Sequence, residues 1–90
     1  MLRYEWDEAK RAETLLEREI DFASMDYFDW ETAVHQRSDR DGETRWATVG
    51  LIGNRLYHAV WTERAENIRI ISLRKANSRE ATAYVAQQEG

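Results

Sequence analysis

From residue 44 to residue 75 the chain runs in three alternating stretches of apolar and polar side chains, separated by short polar turns. This pattern predicts a β-meander. Thr44 to Leu51 sets Arg45, Ala47, Val49 and Leu51 on one face and Trp46, Thr48 and Gly50 on the other. Gly53-Asn54 fits a tight hairpin turn. Arg55 to Thr62 sets Tyr57, Ala59 and Trp61 against Leu56, His58 and Val60, and Glu63 to Asn67 is the next turn. Ile68 to Lys75 carries Ile68, Ile70, Ile71 and Leu73, apolar on both faces, which predicts a central strand. Strict alternation there puts Arg69 and Lys75 with Ile71 and Leu73, and Arg74 with Ser72 and Ile70.

The first half reads differently. Leu2 to Trp6 alternates weakly, as a short first strand. Asp7 is an N-cap, and Ala9, Ala12, Leu15 and Leu16 form an apolar stripe on a helix over residues 8 to 18. Asp21 caps a second, shorter helix with Phe22, Met25 and Phe28 on its apolar side. DWETAVHQRS is ambiguous, although Thr32, Val34 and Gln36 fit a strand, and SDRDGE is a turn. At the other end, Asn77 and Glu80 form a capping-box pair, and Ala81, Tyr84 and Val85 mark the apolar side of a C-terminal helix. The predicted class is α+β: an antiparallel sheet of 3–4 strands with N-terminal helices and a C-terminal helix packed against one face.

Ninety residues, 42% of them apolar, suit one domain over residues 1–90 with one modest core. No apolar run is long enough for a membrane span, and MLRYEWDEAK is too charged for a signal peptide. The expected location is the cytoplasm. With no cysteine and only His35 and His58 as histidines, neither in a ligand spacing, no metal site or cofactor is expected. There is no G-x-S-x-G elbow and no glycine-rich phosphate loop. The net charge of -4 is uneven. Residues 1–50 hold seven Lys/Arg against thirteen Asp/Glu, a net of -6; residues 51–90 hold six against four, a net of +2. An acidic chain can thus still carry a local phosphate-binding face.

Cations are the remaining candidates for chemistry. Arg74, Lys75 and Arg79 lie where the last strand meets the last helix, Arg69 is on the same strand, Arg64 in the preceding turn, and Arg45 two strands away. A helix N-terminus and arginine forks both suit phosphate. The plainer reading pairs these cations with the carboxylates of the first half. Trp46, Tyr57, Trp61 and Tyr84 are aromatics that either stack bases or fill the core.

Three segments resemble a known family. EWDEAKRAETLLEREIDF (Glu5 to Phe22) resembles the opening of the BrnT toxins, where E-W-D-x-x-K leads a helix. DGETRWATVG (Asp41 to Gly50) is similar to their G-E-x-R-(F/W) strand. TERAENIRIISLRKANSREATAY (Thr62 to Tyr84) resembles their C-terminal signature, with T-E-R, R-I-I-S-x-R-x-A, then R-E and a tyrosine. The resemblance implies the toxin of a type II toxin–antitoxin pair, with a RelE-like fold and metal-independent endoribonuclease activity that inhibits translation. It also implies a DNA-binding, BrnA-like antitoxin, an RNA substrate, and a homodimer or a toxin–antitoxin hetero-oligomer. The family carries N-x-x-K-H-G at the end of the first helix; here Thr14 to Glu19 stand in its place, so that Lys-His-Gly becomes Glu17-Arg18-Glu19.

Metal-free cleavage by the 2′-OH needs charge stabilisation at phosphorus and proton transfer at both oxygens. Arg74 and Arg45 are the expected charge stabilisers, and Lys75 and Arg79 position the backbone. Glu63, His58 and Tyr84 are the proton-transfer candidates. Arg64, Arg69, Arg18 and Trp46 are the expected RNA contacts. The alternative is a catalytically degenerate toxin fold whose acidic half binds a basic protein.

Overall fold

A computed structural model describes residues 3–90. The elements in order are β1 (Tyr4–Trp6), α1 (Glu8–Arg18), a 3₁₀ helix (Phe22–Tyr27), β2 (Val34–Arg40), β3 (Glu43–Ile52), β4 (Arg55–Arg64), β5 (Asn67–Lys75) and α2 (Ser78–Glu89). They form one five-stranded sheet, in the order β1-β5-β4-β3-β2.

The α+β class and the meander agree with the sequence reading, while several details correct it. The sheet has five strands rather than three or four. It is only mostly antiparallel, because β1 pairs parallel with β5, Tyr4 opposite Ile68. The second N-terminal helix is a 3₁₀ helix of six residues, too short for an α-helical stripe. SDRDGE is mostly strand: β2 runs to Arg40, and the turn is Asp41 and Gly42, both at positive φ. Likewise β4 runs to Arg64, so Glu63 is a strand residue. Leu2, assigned to the first strand, lies outside the described residues.

The core lies on one face of the sheet. Phe22 and Met25 of the 3₁₀ helix are fully buried against Ala59, Ile70 and Leu73. Each of these two large side chains stabilises the fold by about 1.5–3 kcal/mol. Phe28 packs so close under Gly50 that a Cβ there would sit 2.5 Å from its ring. The opposite face carries α2, which buries Tyr84, so the helices lie on both faces and not on one as the sequence pattern predicts.

The register holds one irregularity with a consequence. Val60 pairs with Ser72 but Trp61 pairs with Ile70, so Ile71 is an extra residue in β5. Such a bulge reverses the alternation beyond it. Ile70 and Leu73 therefore both reach the core, and Arg69 shares the α2 face with Arg74. This corrects the strict alternation, which separated Arg69 from Arg74.

α1 behaves unlike an ordinary core helix. Asp7 caps it, accepting from the Ala9 and Lys10 backbone N–H groups at 2.8 and 3.3 Å. A fork from Arg11 to Asp21 (2.8 and 3.0 Å) ties it to the start of the 3₁₀ helix. Yet none of its residues is buried; Leu15 is 44% and Leu16 84% exposed. The stripe exists, but it faces solvent.

Candidate nucleic-acid interface

The β2–β3 and β4–β5 turns lie at the same end of the sheet. There, on the α2 face, strand positions of β3, β4 and β5 converge with the start of α1. The resulting cleft of about 170 Å³ is lined by Lys10, Arg45, Arg64 and Arg69 and by Asp7 and Glu43, with Thr62 at its floor. Four cations against two carboxylates leave it net positive. Burial of Thr62 is satisfied by its hydroxyl donating to the Thr44 carbonyl at 2.6 Å.

The ion pairs in the cleft are loose. Glu43 lies 3.7 Å from Arg45 and 4.0 Å from Arg64, and Arg69 lies 3.5 Å from Glu5. Such half-exposed pairs are worth about 0–1 kcal/mol each, so an incoming phosphate displaces them at little cost. The Arg45 Nε–H is buried and has no partner among the described residues. A buried N–H left unpaired costs about 1–3 kcal/mol, and an anion that drew the guanidinium toward the cleft would satisfy it. The carboxylate of Asp7 is engaged as a cap and that of Glu5 by Asn67 and Arg69. Glu43 is the carboxylate here with no hydrogen bond of its own among the described residues.

Arg74 is elsewhere. It sits under the first turn of α2, where its guanidinium donates to both Glu80 oxygens at 2.9 and 2.8 Å. This hydrogen-bonded fork, above all, holds the Glu80 carboxyl down to about 2, helped by the Asn77 backbone N–H. The same fork pushes the Arg74 guanidinium upward. His58 Nε2 is 3.6 Å from Glu80. Burial, and then the neighbouring Arg74 charge, push its pKa below the ordinary value, so the ring is neutral near pH 7. The ion-pair reading therefore holds with first-half carboxylates for Arg45, Arg64 and Arg69, through loose contacts, and for Arg74 with a partner from its own capping box instead. From Arg69 to Arg74 the strand spans about 15 Å, too far to share one phosphate.

The other expected residues are dispersed. Lys75 pairs with Tyr57, on the core face at the far end of β5, and Arg79 is exposed on α2. Arg18, at the end of α1, donates to the Leu73 carbonyl at 3.2 Å. The Tyr84 hydroxyl lies beneath α2, 2.9 Å from Thr32 Oγ1. Glu63 and Trp46 lie on the core face at the turn end, beside His35 and Trp61. So Arg45, Arg64 and Arg69 come together, while Arg74, Lys75, Glu63 and Tyr84 do not join them.

Sequence reasoning missed Lys10 and Glu43 in the cleft. Lys10 had a signal, as the lysine of E-W-D-x-x-K. Glu43 had one too, in G-E-x-R two residues before Arg45. Among the described residues, no group of three or more His, Asp or Glu side chains could hold a metal ion.

A family model described as "Ribonuclease toxin, BrnT, of type II toxin-antitoxin system" matches residues 6–80. The chain belongs to the BrnT toxin family. The match runs through all four cations of the cleft and ends at Glu80. Membership brings an antitoxin partner with it, as the toxin half of a type II pair. Comparison with curated proteins and with solved structures finds no match. No helix among the described residues is long and apolar enough to cross a membrane.

Proposed function

We propose that the chain is a metal-independent endoribonuclease that cuts RNA in the Arg45–Arg64–Arg69 cleft, inhibits translation in the cytoplasm, and is neutralised by a DNA-binding antitoxin. The observation that carries this reading is the cleft itself: four cations, three of them in loose pairs, with a buried Arg45 N–H left over. Arg45 and Arg69 would hold the phosphate undergoing attack and its developing charge, with Lys10 and Arg64 at the sides. Glu43, between Arg45 and Arg64, would take the 2′-OH proton. Arg74, Lys75 and Arg79 would meet RNA beyond the cleaved bond. The departure at Glu17-Arg18-Glu19 leaves Arg18 on a backbone carbonyl and gives it no proton to move.

The test is expression of the chain without a partner, followed by growth and RNA integrity, beside the Arg45→Ala and Arg69→Ala variants. Arrested growth and cut RNA are expected for the parent, and a loss of roughly a hundredfold or more in cleavage for each variant. Purified chain should cut RNA equally with and without a chelator. Normal growth and intact RNA, with the protein folded, count against the reading.

A second reading keeps the fold and loses the chemistry. It is favoured by the dispersal of Glu63, Tyr84, Lys75 and Arg74, and by the exposed Leu15 and Leu16 among Glu13, Glu17 and Glu19, which suit a basic amphipathic partner. Restoring Lys-His-Gly at residues 17–19 separates the two, since toxicity that appears only on restoration identifies a degenerate toxin.

A further inference from the structure

Past the β2–β3 turn the cationic cleft does not stop. Glu43 and Thr62 also line a second cleft of about 310 Å³, with Arg37, Thr44, Trp46 and Glu63. Trp46 and Glu63 in turn line a third, of about 180 Å³, with His35 and Trp61. Shared walls thus make one track round the end of the sheet, from arginines on one face to aromatic rings on the other.

The aromatic end is ordered by ring contacts. The Trp46 and Trp61 rings lie nearly parallel, 5.9 Å apart at 21°. Trp30 meets Trp61 edge-on at 5.3 Å and stacks on His35 at 6.1 Å. The polar groups are ordered too. Thr48 is fully buried, and its hydroxyl accepts the Trp61 indole N–H at 2.8 Å. The same hydroxyl lies 2.9 Å from His35 Nδ1; in the tautomer in which it donates to that nitrogen, the ring hydrogen is on Nε2. The Trp46 indole N–H has no partner among the described residues, and the Glu63 carboxylate is exposed and likewise unbonded.

We propose that the His35–Trp46–Trp61–Glu63 shelf holds one unstacked guanine of single-stranded RNA whose phosphates lie in the arginine cleft. The inference rests on the ribonuclease reading and adds a base preference to it. Indole faces supply stacking for any base. The edge groups choose among bases. A carboxylate accepts from two adjacent donors, which guanine offers at N1 and the 2-amino group, and a neighbouring N–H from His35 meets its O6. Adenine would turn the N1 lone pair toward the Glu63 carboxylate and is rejected. Uracil and cytosine each offer that carboxylate one donor site at most.

The test uses the full chain and four 2′-O-methyl pentanucleotides, which cannot be cut at the 2′ position, differing only in the central base. Binding is followed by tryptophan fluorescence. The guanine probe should bind on the order of tenfold or more tighter than the adenine probe. Trp46→Leu should weaken it by about ten- to a hundredfold. Glu63→Ala, an exposed change that leaves the core untouched, should bring guanine down to the level of the other bases. Binding that needs Arg45 yet ignores the central base, Trp46→Leu and Glu63→Ala overturns the shelf and leaves the cleft standing. No binding by any probe, with Arg45→Ala also silent, overturns both. Trp46→Leu that binds RNA normally but escapes a co-expressed antitoxin gives the shelf to a protein partner and overturns the proposal.

Discussion

Removing the Glu80 carboxylate should destabilise the domain by about 2 kcal/mol, and the loss can be built from its bonds. Glu80 Oε1 accepts the Asn77 backbone N–H at 2.9 Å, which is half of the capping box at the start of α2. Losing it costs roughly 0.5–1 kcal/mol, because the other half, Asn77 Oδ1 to the residue-80 N–H, survives in Glu80→Ala. Both carboxylate oxygens also hold Arg74. Lowering the carboxyl from 4.5 to about 2 corresponds to roughly 3 kcal/mol if counted in full. Arg74 is a third exposed, however, and solvent screening brings the fork to about 1–2 kcal/mol. In a domain of this size, 2 kcal/mol lowers Tm by roughly 10 °C.

Urea unfolding at pH 7 measures this directly, and a cycle with Arg74→Ala isolates the fork. The pH dependence gives an independent check. Glu80 is deprotonated at lower pH in the folded chain than in the unfolded one. Its contribution is therefore complete above pH 4.5 and fades as the pH falls toward 2. The parent and Glu80→Ala should differ at pH 7 and converge at low pH. A loss below about 0.5 kcal/mol at pH 7, or a gap that stays constant on acidification, refutes the reasoning. The result also governs how Arg74 is tested for function. Arg74→Glu would set two carboxylates against each other and weaken the fold, so lost toxicity in that variant says nothing about RNA unless stability is measured beside it.

Three further outcomes follow from the geometry. Burial and the Arg74 charge keep His58 neutral, so the unfolded chain protonates first and the fold loses stability as pH falls below 6.5; His58→Leu should flatten that part of a stability–pH curve measured by urea unfolding. Gly50→Ala should cost about 1–3 kcal/mol in the same assay, because its Cβ meets Phe28 at 2.5 Å and Phe28 is packed under the sheet. Glu19 ends α1 at φ 59, a left-handed position that costs a side chain about 1–2 kcal/mol. Glu19→Gly should therefore raise stability by roughly 0.5–1 kcal/mol after the greater freedom of glycine in the unfolded chain is counted, seen as a higher Tm.

The residues that were legible from sequence are those whose signal is local. Asp7, Asn77 and Glu80 declare helix starts by hydrogen bonds within one turn, and the structure makes those bonds. The meander was legible because period-2 alternation is set by the strand itself. What escaped depends on packing between elements. The bulge at Ile71 has no local mark: the run Ile68-Arg69-Ile70-Ile71-Ser72-Leu73 alternates plausibly in either register. The outcome is decided by the core, where Ile70 and Leu73 must both meet Phe22 and Met25. That choice turns Arg69 onto the α2 face, and only then do Arg45, Arg64 and Arg69 form one cleft. Along the chain, cations are densest at the β5–α2 junction, which is where sequence alone points for the site. The fold pairs Arg74 there with its own cap and opens the cleft at the other end of the strand. Density of charge along a sequence thus locates cations but not a phosphate site, since what separates Arg74 from Arg45 is the geometry of the pair, a two-bond fork to Glu80 against a single 3.7 Å contact with Glu43. Arg45, Arg64 and Arg69 keep only long pairs of 3.5 to 4.0 Å and are brought together by pairing between strands.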